Sequence, residues 1–262
     1  MTSRSSSGVE FSRVLEQHSL TRSIILHLAP GAIFTAFIIL AAPALASVGI
    51  DPIFALFGGI GLVLVPIELG YLVLQARRMT GSWSPLNAVD YKERVPRGRL
   101  ALLAAALAGW FFLVLVVSIV FLDRWLAENV FSWMPTTLLQ FAVAEEGGEP
   151  IPSGTFLAFL VIALAFNGVA GPITEELYFR GHLLPRLERY GHWAPVINTA
   201  LFAIYHFFSP WRYPAIFLGF LPTTWMAWRK RSVAVSIAAH MTINIVSVLL
   251  LAAGLAAGDG RT

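Results

Sequence analysis

Long uninterrupted runs of apolar residues dominate this chain, and short polar stretches separate them. The runs extend over about Ile24 to Val48, Pro52 to Leu74, Leu100 to Leu122, Thr155 to Ile173, Trp193 to Phe208, Tyr213 to Trp228 and Val233 to Leu251. Crossing a hydrocarbon core of ~30 Å takes roughly 20 apolar residues in an α-helix, so each run predicts a membrane span. The expected fold is all-α, a polytopic transmembrane helix bundle of about seven to eight spans. The eighth depends on Trp133 to Val143, which is too short to cross alone and is followed by Glu145, Glu146 and Glu149. An amphipathic or re-entrant piece is the better reading there. The polar residues before the first run, with Ser3 and Ser5 to Ser7, lack the short apolar core and small-residue cleavage site of a secretory signal. They are expected to form a mobile or interfacial cytosolic tail.

Composition agrees with the pattern. Of 262 residues, 57% are hydrophobic and 13% charged, and the mean hydropathy is +0.72, more apolar than a soluble domain of this length. Little room remains for a large soluble domain. The net charge is +3; in a membrane protein such basic residues report orientation rather than nucleic-acid binding, for which no signature is present. Arg77, Arg78, Lys92, Arg94, Arg97 and Arg99 lie between the second and third runs, Arg180, Arg186 and Arg189 follow the fourth, and Arg229 to Arg231 follow the sixth. These segments are expected on the cytoplasmic side, with the N-terminus inside and the C-terminus outside. The absence of cysteine removes disulfides, thiolate metal sites and a cysteine nucleophile.

The fourth run ends in Asn167-Gly168-Val169-Ala170-Gly171-Pro172-Ile173-Thr174-Glu175-Glu176-Leu177-Tyr178-Phe179-Arg180. A charge at the centre of a membrane helix costs at least ~2.5–3.5 kcal/mol, so two carboxylates and an arginine there need a reason. Gly171-Pro172 is expected to bend or interrupt the helix. Beyond it Glu176 and Arg180, four residues apart, face each other, whereas Glu175 points about 100° away. Glu176 is thus assigned to a structural pair and Glu175 to chemistry, the competing reading being interfacial charges that snorkel to headgroups. In the fifth run Asn198, Phe202 and His206 form one stripe, and in the seventh His240 and Asn244 do the same. A single histidine within a span is often a packing residue; two of them, with an amide and a free carboxylate on three helices, point to a site.

His18, His27, His182 and His192 are expected to be interfacial or structural. Trp133, Trp211, Tyr213, Trp225 and Trp228 near the run ends read as an interfacial aromatic belt.

At these residues the sequence resembles the CPBP family of intramembrane proteases, also called the Abi or type II CAAX prenyl endopeptidase family. Its motifs stand here in order as Glu175-Glu176-x-x-x-Arg180, Phe202-x-x-x-His206 and His240-x-x-x-Asn244. The likeness covers about Thr155 to Leu251; the first three runs carry no recognised motif. It implies a core at residues 154–253, preceded by a tail at 1–22 and N-terminal helices at 23–153 and followed by a tail at 254–262. Glu175, His206, His240 and Asn244 would form the active site, with Glu176 and Arg180 supporting it and Phe202 shaping the pocket.

The expected reaction is peptide hydrolysis in a wet intramembrane cavity. Glu175 activates water as general base, His206 orients that water or binds a metal, and His240 with Asn244 stabilises the oxyanion. Glu175, His206 and His240 would also suit a catalytic zinc ion with an open position. In that case Glu176 would have to serve as base. Zinc-assisted and metal-free glutamate mechanisms both remain open.

Other classes compete. The chain could be a non-catalytic membrane partner or bacteriocin self-immunity protein, a haem or quinone protein ligated by His206 and His240, or a transporter, against which the lack of a repeat counts. The partners expected are the lipid bilayer and a membrane-anchored protein or peptide substrate presented from the cytosolic leaflet. Heavy use of Arg, Ala and Gly over Lys suggests a GC-rich bacterial source and a plasma-membrane location, so prenyl specificity is not assumed.

Overall fold

The computed structural model of the chain describes residues 15–139 and 153–258. Among them are seven helical rods: α1 (Leu20–Ser47), α2 (Ile53–Thr80), α3 (Arg97–Asn129), α4 (Thr155–Tyr190), α5 (Trp193–Tyr205), α6 (Tyr213–Lys230) and α7 (Val233–Gly258). No strand pairs with another among the described residues beyond a single bridge between Lys92 and Ser232. The protein is therefore an all-helical membrane bundle. α1 to α4 and the Val233–Gly254 part of α7 are long and apolar enough to cross a bilayer. α5, at 13 residues, measures only ~20 Å and does not match a ~30 Å core. The fifth run therefore does not yield a full span: the helix stops at Tyr205, and Phe207 and Phe208 lie in the turn toward α6. The Trp133 to Val143 segment lies partly outside the described residues, as do Glu145, Glu146 and Glu149.

Local chemistry sets the helix ends. Ser19 caps α1, its hydroxyl accepting from the Arg22 N–H at 3.2 Å. Gly81, at φ 75°, ends α2 and donates its N–H to the Arg77 carbonyl, a left-handed position that glycine occupies without a Cβ clash. α6 ends at Arg231, whose φ of 47° is uncommon for a residue with a side chain. This turn brings the chain beside residues 91–93: the Glu93 N–H donates to the Arg231 carbonyl and the Val233 N–H to the Tyr91 carbonyl.

Gly171-Pro172 does not interrupt the helix. Residues Ala163–Ala170 form a π-helix, and the Gly171 N–H donates to the Phe166 carbonyl five residues back. Pro172 then falls at the start of the next α-helical turn, where a missing N–H is tolerated. A second π-segment, Leu177–Leu183, follows Glu176. Such widened turns insert a residue without ending the rod, so α4 runs on to Tyr190 with its charged residues inside it.

α4 packs against α2 and α7, α5 lies between α1 and α6, and α3 covers α6 and α7. The main core cluster includes Phe34, Leu72, Phe111, Phe159, Phe179 and Phe202. At the arginine-rich end the loops form a built layer. Gln17 reaches the Pro185 carbonyl at 3.1 Å, the His18 N–H donates to the Arg186 carbonyl, and Arg186 meets Asp90 at 2.7 Å. The Tyr91 hydroxyl donates to Glu188 at 2.6 Å. Part of the N-terminal tail is thus docked. Trp211 is 2% exposed and belongs to the interior rather than to an interfacial belt. Trp225 and Trp228 gather around His192, and Trp133 is exposed.

Candidate active site

The α-helical turn between the two π-segments of α4 carries Glu175 and Glu176, and the second π-segment carries Arg180; all three are buried in the bundle interior. The expected i,i+4 geometry is present: Arg180 Nη1 lies 3.2 Å from Glu176 Oε1. The same guanidinium donates to Thr224 Oγ1 of α6 from Nε at 3.3 Å and Nη2 at 3.2 Å. It stacks 4.0 Å from the centroid of Phe202. Burying an unpaired charge is prohibitively costly, and these contacts explain how Arg180 stays inside.

His240 of α7 joins the pair, with Nδ1 2.9 Å from Glu176 Oε1. A carboxylate paired with arginine accepts, so Nδ1 carries a hydrogen, and in the neutral ring Nε2 has the lone pair. That Nε2 is 3.8 Å from Oε2 of Glu175, too far for a direct hydrogen bond, but a water beside the gap is within reach of both. Glu175 and His240 keep 11% and 5% of their side-chain surface exposed, whereas Glu176 and Arg180 keep none.

His206 follows the last residue of α5 and has left helical geometry, at φ −79° and ψ 52°. It does not ride on the helix as the stripe implied, yet its Nδ1 lies 2.8 Å from the Phe202 carbonyl one turn back. Phe202 stands between the groups, with ring centroids 4.9 Å from His206 and 6.1 Å from His240. Asn244 donates from Nδ2 to the backbone carbonyl of Asn167 at 2.9 Å, with the Asn167 side-chain oxygen at 3.5 Å. The π-turn thus supplies a partner that fixes the Asn244 amide.

Asn198 belongs elsewhere. It donates to the Phe179 carbonyl at 3.0 Å and meets His27 Nε2 at 2.9 Å, while His27 Nδ1 bonds the Ser23 carbonyl. The Asn198 amide therefore ties α1, α4 and α5 together and lies off the Glu175 cluster. His182 bonds the Ala88 carbonyl. In the loop layer, burial followed by the charges of Arg22 and Arg186 lowers the His18 pKa to about 4. Burial and the hydrogen bond to Glu188 push the Tyr91 phenol up.

Sequence reasoning missed two residues here: Tyr205, which bonds Glu175, and Glu68, which is linked to Glu175 through Tyr205. The Tyr205 hydroxyl is 3.2 Å from Glu175 Oε1 and 3.0 Å from Oε1 of Glu68, a fully buried carboxylate on α2. Glu68 stands alone in the second apolar run, and the cost of an intramembrane charge was the signal that could have found it. Asn167 and Thr224 are further partners that no motif marks.

Among the described residues no three His, Asp or Glu side chains are grouped so as to hold a metal ion. The Glu175, His206 and His240 set does not form a three-ligand cluster.

A family model described as Type II CAAX prenyl endopeptidase Rce1-like matches residues 157–246, which include all three motifs. No curated protein and no solved structure matches the chain.

Proposed function

We propose that the chain, whose residues 157–246 match the Rce1-like type II CAAX prenyl endopeptidase model, is an intramembrane endopeptidase. It hydrolyses a peptide bond in a membrane-associated protein or peptide, with Glu175 as general base. The observation that carries this reading is the 3.8 Å gap between Glu175 Oε2 and His240 Nε2. It joins two partly accessible groups, backed on the His240 side by the buried Glu176 and Arg180.

Water in that gap gives one hydrogen to Glu175 while His240 Nε2 accepts the other, which aims the oxygen. As the oxygen attacks the scissile carbonyl carbon, its proton passes to Glu175. Asn244, with an amide hydrogen beyond the one spent on the Asn167 carbonyl, donates to the developing oxyanion. The C–N bond then breaks and the leaving amine takes the proton that Glu175 returns. Phe202 walls the site, and His206 borders it at the end of α5. This differs from the sequence-based assignment in two roles: with Nδ1–H directed at Glu176, His240 rather than His206 orients the water, and the oxyanion falls to Asn244 alone.

The test is cleavage of a mass-readable peptide library, lipidated and plain, by protein in nanodiscs. Glu175→Gln should lower cleavage by at least ~100-fold, and His206→Ala should also impair it. Equal cleavage by folded wild type and Glu175→Gln would overturn the assignment and favour a non-catalytic membrane partner. Loss of wild-type activity on chelation, restored by zinc, would instead support a metal-assisted route.

A further inference from the structure

Tyr205 has one phenolic hydrogen and two buried carboxylates to serve, Glu68 Oε1 at 3.0 Å and Glu175 Oε1 at 3.2 Å. The second oxygen of Glu68 is buried with no hydrogen-bond partner among the described residues. Among the described residues no cation is left for it: the nearby guanidinium of Arg180 pairs with Glu176 and Thr224. Two ionised carboxylates around one hydroxyl would leave an unpaired charge in the bundle interior, at a cost of several kcal/mol or more.

One added proton resolves the count. With Glu68 as the neutral acid, its O–H donates to the Tyr205 oxygen and the Tyr205 O–H is free to donate to Glu175. The proton belongs on Glu68 because that side chain is fully buried and has no cationic partner among the described residues, whereas the Glu175 side chain keeps 11% of its surface exposed.

We infer that Glu68 is a positioning residue, held as the neutral acid, which through the Tyr205 hydroxyl fixes the orientation of the ionised Glu175 carboxylate. Glu68 lies on α2, outside the matched segment 157–246. Its kinetic role rests on the peptidase reading above; its protonation state does not.

The experiment has two arms. Infrared difference spectra of wild type and Glu68→Gln, with isotope-labelled glutamate in an ester-free detergent at pH 8, read the carbonyl stretch of a protonated carboxylic acid. Wild type should show that band and Glu68→Gln should lack it; a wild type without the band, or a variant that keeps it, overturns the inference whether or not a substrate has been found. In the second arm, cleavage by Glu68→Gln, a neutral isostere of the acid, should stay within about threefold of wild type. Glu68→Leu and Tyr205→Phe should lose about 10- to 100-fold in kcat with little change in KM. Unchanged kcat in Tyr205→Phe, or a Glu68→Gln loss as large as that of Glu68→Leu, overturns it. Should Glu68→Leu not fold, Tyr205→Phe, which deletes one oxygen, carries this arm.

Discussion

Arg180 is held with no exposed surface by one carboxylate, one hydroxyl and an aromatic face. Removing one partner of a buried pair leaves the other charge uncompensated. Arg180→Met should therefore destabilise the protein by about 3–5 kcal/mol. The double variant Arg180→Met with Glu176→Leu should recover much of that loss, as read by unfolding in mixed detergent micelles. Additive losses in the double variant would mean that the pair is not coupled. This pair was legible from spacing alone, since four residues on a helix bring two side chains together. Glu68 was legible in principle, but a lone acidic residue has no spacing to reveal its partner. Tyr205 was not legible, because its two carboxylates lie 137 and 30 residues away in the chain and only packing brings them to it.

Helix α1 meets α5 where Gly31 faces the Tyr205 backbone; a Cβ added there would stand 2.0 Å from the Tyr205 carbonyl oxygen. A backbone atom cannot swing aside, so Gly31→Ala should push α5 away from α1 and cost about 1–3 kcal/mol. Gly70, with nothing within 4 Å of an added Cβ, provides the contrast: Gly70→Ala should be neutral or up to about 1 kcal/mol more stable. Equal thermal stability of the two variants would refute the close approach. The long apolar rods were readable from run length, because the bilayer sets it. The π-turns were not: Gly171-Pro172 reads as a break in any α-helical register, and the extra residue that rescues the rod has no compositional mark. The end of α5 was hidden for a related reason, since Phe207 and Phe208 continue the apolar run after the helix has stopped.

Across the whole molecule, the arginine-rich end is closed by loops that dock the chain around His18. Arg22, Arg186, Glu16 and His182 surround that imidazole. Its pKa falls from 6.5 to about 4 on docking, so the undocked state binds the proton more readily. The docked state should thus be fully favoured above pH 6.5 and weaken as the pH falls toward 4. Hydrogen exchange at residues 17–19 should quicken over that window, and His18→Gln should remove the dependence between pH 6.5 and 5. Unaltered pH dependence in the variant would place the cause elsewhere. The helix bundle and the basic side of this layer were foreshadowed by hydropathy and by the arginine clusters; the docking of Gln17 and His18 was not, since their partners are backbone groups of Pro185, Arg186 and Arg189, which carry no sequence mark. The same long-range ties bear on heredity and engineering. Tyr178 reaches the Leu26 carbonyl, Asn198 reaches His27, and Tyr205 reaches Glu68, so the motif-bearing segment leans on α1 and α2 at three points. It is not a cassette. Grafted alone into a foreign scaffold, residues 157–246 should misassemble, whereas co-expressed halves divided between α3 and α4 should reconstitute a folded bundle; a well-folded isolated segment would contradict this dependence.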